Sequence, residues 1–183
     1  MSDPTTRFDP ASYGSAVAAL LTPPRLADLG PGAPNAAAKP LLSKFDPAAD
    51  LGRPVRDRQM ARACLAGLWL YHDFLDESHA ISQDLPSAEG SFWHAILHRR
   101  EPDAGNSKYW WRRVGAHPVF AELAQDAAAL GYSGKGAGWD PFAFVDACEE
   151  HRDSGGAAEQ VLKRVQVREW QLLFDWCYRR AVM

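Results

Sequence analysis

The chain has 183 residues, a net charge of −3, 46% hydrophobic and 23% charged content, enough for one domain with its own core. The acidic balance speaks against a protein whose main business is coating nucleic acid or an anionic membrane surface. No apolar run approaches the ~18 residues of a membrane span, and the first ten residues are polar rather than a leader, so a cytoplasmic protein is expected.

Nine of the thirteen prolines fall within residues 1–54. This stretch reads as a Pro/Ala-rich arm, partly irregular, with apolar beads (Leu26, Leu29, Leu41, Leu42, Phe45) between chain breakers. Its first ten residues are expected to be mobile. Tyr13 to Leu21 makes a short helix, ended by Thr22-Pro23-Pro24 because proline lacks an N–H and disfavours helix in the residue before it. Residues 55–183 form a helical domain.

From Val55 helical periodicity takes over. A first long helix is expected from Arg56 to Gln83, with an apolar face made by Ala61, Cys64, Leu65, Leu68, Trp69 and Leu75. Leu85-Pro86 breaks it, and Ser87 caps a second helix that runs to Arg100. Asn106 caps a third, which Gly115 closes after Val114. Pro118 to Leu130 is the fourth. A glycine-rich connection, GYSGKGAG, follows; it lacks the glycine spacing, the Ser/Thr and the strand of a phosphate-binding loop. Asp140-Pro141 starts the fifth helix, with Trp139 placed to staple onto Phe144, and the sixth runs from about Ala157 to Arg180. No alternating run supports a strand. The expected fold is all-α, a compact bundle of about six helices, in which residues 91–118 have the spacing of one tetratricopeptide-like hairpin.

Five of the six histidines lie between Tyr71 and Pro118. On the first helix His72, Asp76 and His79 recur at i, i+4, i+7, within about 60° of one another. On the second, His94, His98 and Glu101 repeat that spacing. Two helices joined by a short connection lie antiparallel and adjacent, so the two ladders would meet. Neutral imidazoles and carboxylates are the ligands of a divalent transition metal such as zinc, iron or manganese. Such an ion would activate water for hydrolysis. Glu169, on the inner stripe of the last helix, is a further candidate carboxylate. The spacing equally fits intrahelical His–carboxylate pairs that only hold structure. That is the alternative of a non-enzymatic helical scaffold or protein-interaction module with a buried polar network.

Arg99, Arg100, Arg112 and Arg113, beside Tyr109, Trp110 and Trp111, form a basic-aromatic segment. Guanidinium groups there would receive a small anionic ligand, or pair with nearby acids while the aromatics fill the core. Cys64, Cys148 and Cys177 sit in apolar runs with no base beside them and read as reduced thiols rather than nucleophiles.

The run WHAILHRREPDAGNSKYWWRRVGAHPVF, Trp93 to Phe120, resembles a family of bacterial and fungal proteins built on a similar WH-x-x-x-HRRE-x-D-x-x-N-x-KYW-x-RR-x-G-x-HP pattern. HDFLDESH, residues 72–79, is a looser echo. The resemblance implies no activity and assigns no residue a role; it marks the same segment.

Overall fold

The computed structural model describes residues 3–134, 136 and 138–183. Lys135, inside the glycine-rich connection, lies outside them. The described residues fold into helices with no strand: α1 (Ser15–Leu21), α2 (Lys39–Leu42), α3 (Arg58–Tyr71), α4 (Leu75–Ser82), α5 (Ala88–Arg100), α6 (Ala104–Val114), α7 (Val119–Ala129), α8 (Pro141–His151) and α9 (Ala157–Val182).

The arm is part of the body. Tyr13, Val17, Leu20, Leu42 and Leu51 are buried in the same apolar cluster as Leu68, Trp93 and Phe174. Of the ten N-terminal residues expected to be mobile, 3–10 are among the described ones. They make two 3-10 turns, Pro4–Arg7 and Pro10–Tyr13, each opened by an aspartate cap and a proline, and Phe8 stacks on Tyr13 at 4.9 Å.

The largest departure from expectation is a break in the first long helix. α3 stops at Tyr71 and α4 starts at Leu75. Between them Asp73 takes φ +64°, a conformation open chiefly to glycine but tolerated by aspartate. The Phe74 N–H reaches back to the Trp69 carbonyl (3.1 Å) and the Asp73 N–H to that of Leu70 (3.1 Å). Phe74 also packs edge-on against Trp69 at 5.3 Å. These are the two reversed hydrogen bonds and the apolar contact of a Schellman termination, with aspartate where glycine is usual.

That break makes α3–α4 a hairpin, and α5–α6 is built the same way 29 residues later. In the first, the Ser78 hydroxyl donates to the Ala66 carbonyl (2.9 Å); in the second, Ser107 donates to Ala95 (2.7 Å). The reversed hydrogen bond recurs as well, Asp103 N–H to the His98 carbonyl at 2.9 Å. Each buried hydroxyl bond is worth about 0.5–1.5 kcal/mol net and fixes the second helix against the first. The hairpin read from residues 91–118 therefore has a structural partner without a matching sequence signal. Long α9 packs against α3, where its Trp170 Nε1 donates to the Gly67 carbonyl at 2.8 Å, and it reaches α5 through the Arg99–Glu169 pair.

Several caps follow the sequence. Ser87 accepts from Gly90 N–H (3.2 Å), Asp140 opens α8, and Trp139 lies 4.9 Å from Phe144. The cap of α6 is Asp103, which accepts from Asn106 N–H (3.0 Å). Asn106 thus lies inside the first turn, its side chain released for another contact.

Candidate metal centre

The site lies where the two hairpins touch, between α4 and α5. The link from α4 to α5 is tight because Gly90 has no side chain: a Cβ there would stand 2.4 Å from that of Leu85. One turn of α5 separates His94 from His98, whose rings stack 4.7 Å apart. α4 brings His79 against both, at 4.5 Å from the His94 ring and 5.5 Å from that of His98. One nitrogen from each of the three lies within 4.8 Å of the other two. Zinc–imidazole bonds of about 2.0–2.1 Å place tetrahedral nitrogens about 3.4 Å apart, so the three must draw closer to share an ion. His79, half-buried on the short α4, is the least enclosed of them.

The other two rings are held from behind. His94 lies flat on Trp110 of α6, 3.9 Å away and 16° from parallel. Its Nδ1 is buried without a hydrogen-bond partner among the described residues. The Nδ1 of His98 meets Glu101 Oε2 at 2.8 Å, and its Nε2 meets the Asn106 side-chain nitrogen at 3.0 Å. A carboxylate accepts, so Nδ1 carries the proton, and Nε2 is left as the acceptor for Asn106 Nδ2–H. Carboxylate–histidine orientation of this kind is what fixes a metal-binding tautomer.

Burial keeps these rings neutral. It pushes His94 down to about 3, with His98 and His79 adding repulsion to a positive charge. Burial also lowers His98, against the opposing pull of Glu101. Neutral imidazole is the ligating form.

Of the other residues expected at the site, the structure places several elsewhere. The αL break removes His72 from the ladder; it caps α3, and its Nδ1 meets Asn35 Nδ2 at 3.0 Å. Asp76 is exposed in the first turn of α4 and outside the three-residue cluster. Glu101 stands behind His98 instead of facing the trio. Glu169 is fully buried and accepts from Arg99 Nη2 at 2.6 Å and Nη1 at 3.3 Å. Burial pushes its carboxyl up, and Arg99 opposes that.

Arg99 and Arg100 are not free to receive a ligand. Arg99 also donates to Gln166 (3.4 Å) and covers the Phe144 ring at 4.6 Å. Arg100 donates to the carbonyls of Gly30, Leu70 and Pro31 and to Asp73. Arg112 and Arg113 are exposed, Arg112 over Phe142 and Arg113 over Trp110. The three cysteines are buried, and burial pushes their thiols up.

No family model matches the chain, and no curated protein or solved structure is significantly similar to it. Two contributors to the site, Asn106 and Trp110, carry no sequence signal that ties them to the histidines. Each is a neighbour of a histidine only through the α5–α6 turn, at separations of eight and sixteen residues, where helical spacing says nothing. Among the described residues no helix is long and apolar enough to cross a membrane.

Proposed function

We propose that the chain binds one divalent transition-metal ion, zinc, through His79, His94 and His98, and that the ion activates water for hydrolysis. The observation that carries the reading is the convergence of three imidazole nitrogens within 4.8 Å. Three protein ligands, with a fourth position left for water, are the pattern of catalytic zinc; structural sites use four. Imidazole-only ligation suits zinc better than calcium or magnesium, which prefer oxygen. Two features add support: burial holds His94 and His98 neutral, and Glu101 orients His98. Arg113, over the outer partner of the His94–Trp110 stack, is the cation placed to meet an anionic substrate.

The test is calorimetric titration of metal-free protein with zinc, together with turnover of p-nitrophenyl acetate and p-nitrophenyl phosphate. The expected result is one ion per chain, weakened by His79→Ala, His94→Ala and His98→Ala, and a zinc-dependent rate on one of the esters. Binding without any zinc-dependent rate would remove the hydrolytic part. Absence of binding would remove the whole.

A further inference from the structure

We propose a second ligand site, unconnected with the histidines: the cavity between the N-terminal arm and α9 binds a small amphipathic monocarboxylate, an acyl or aryl body ending in one carboxylate. The cavity measures about 480 Å³, within the ~300–1,000 Å³ typical of small-molecule sites. Its walls are apolar and aromatic, with Phe8 of the arm, Leu21 and Leu26 at the far side of the cis-proline turn, and Tyr71, Val167 and Trp170 behind. A smaller cavity adjoins it, sharing Arg25, Tyr71, Val167 and Trp170 and adding Arg100.

The charge around these walls is one-sided. Arg25, Arg164 and Arg100 line the two cavities, and no carboxylate is among the described lining residues. Arg25 and Arg100 share a single acid, Asp73, with Arg25 Nη2 at 2.6 Å from Oδ2, which leaves one positive charge uncompensated in that group. Arg100 spends its remaining donors on backbone carbonyls. Arg25 does not: of its side-chain donors only Nη2 is hydrogen-bonded among the described residues, to Asp73, and the side chain stays 31% exposed. Arg164 donates to the Leu130 carbonyl (3.3 Å) and meets Asp3 at 3.6 Å, so its charge has only a loose carboxylate partner. An orphaned donor and a surplus cation beside an apolar cavity are what an anion with an apolar tail would complete, since a charge-assisted hydrogen bond strengthens where water is excluded.

Decanoate is the probe, measured by calorimetry on the full chain and by displacement of the anionic dye 1-anilinonaphthalene-8-sulfonate. Decanol and decylamine serve as neutral and cationic controls. The expected result is saturable binding of one decanoate per chain, with decanol about tenfold or more weaker and decylamine not binding. Arg25→Gln should bring decanoate down to the level of decanol. Because that change also touches Asp73, a second variant, Val167→Trp, fills the cavity without removing a charge. It should abolish binding while the melting curve stays cooperative, and zinc binding should be unaffected. Three results would overturn the proposal: no saturable decanoate binding, equal affinity for decanol, or unchanged affinity in Val167→Trp.

Discussion

Replacing Glu169 with leucine would strand the Arg99 guanidinium in the core, and the cost follows from its surroundings. Both side chains of the pair have no solvent exposure. With the carboxylate gone, Arg99 keeps only a 3.4 Å contact to Gln166 and the face of Phe144, while its Nε already lacks a partner among the described residues. Removing one partner of a buried ion pair costs about 3–5 kcal/mol. For a domain of this size each kcal/mol moves the midpoint by about 2–4 °C, so the expected loss is about 6–20 °C. The double variant Arg99→Met/Glu169→Leu removes both charges and keeps the volume; it should recover most of that loss, because the penalty lies in the unpaired charge and not in the absence of the pair. Thermal and urea unfolding followed by circular dichroism measure both effects. If Glu169→Leu melts within about 1 kcal/mol of the parent, or the double variant is as unstable as the sum of the singles, Arg99 does not serve the core as a buried ion-pair partner. It would then return as a candidate for anion binding.

Other outcomes follow from the second ring of contacts. Asn106 Nδ2–H occupies the lone pair of His98 Nε2, so zinc must displace it; Asn106→Ala should tighten zinc by about two- to thirteenfold, the worth of one neutral hydrogen bond. Glu101→Gln should act oppositely, weakening zinc by about 10- to 100-fold; calorimetric titration reads both, and a common direction would break the assigned His98 tautomer. For pH, burial first and then Arg25 hold His72 down to about 4. The unfolded chain therefore takes up the proton first as pH falls. Stability from this group is intact above about pH 6.5 and is lost between there and about pH 4, at up to ~1.4 kcal/mol per pH unit. Urea melts should show the parent losing stability more steeply than His72→Gln as pH falls through that window; equal slopes would refute it.

Much of the architecture was readable from period and punctuation. The caps at Ser87 and Asp140 and the stop at Gly115 lie where residue chemistry puts them. The break after Tyr71 was not readable, because its signal is a single aspartate in a helix-compatible run. What makes Asp73 stop the helix is tertiary: two arginines from distant segments hold its carboxylate, and Phe74 folds back on Trp69. That one residue decided which half of the first ladder joined the site. His79, carried on the new helix α4, reached His94 and His98; His72, left behind on α3, did not. Likewise the sequence leaves Arg99 and Arg100 open to an anion or to nearby acids, whereas their partners, Glu169, Asp73 and three backbone carbonyls, come from 27 to 70 residues away. Long-range pairing of that sort leaves no local pattern.

Cobalt(II) is the sharpest probe of the three-histidine metal centre. Cobalt takes zinc's place and absorbs strongly in the visible only in low-coordinate, near-tetrahedral sites. Titration of metal-free protein should produce an intense visible band that saturates at one cobalt per chain, is displaced by zinc, and is lost in His94→Ala. A pale, octahedral spectrum unchanged from free cobalt, or a band that survives His94→Ala, would contradict the three-histidine centre.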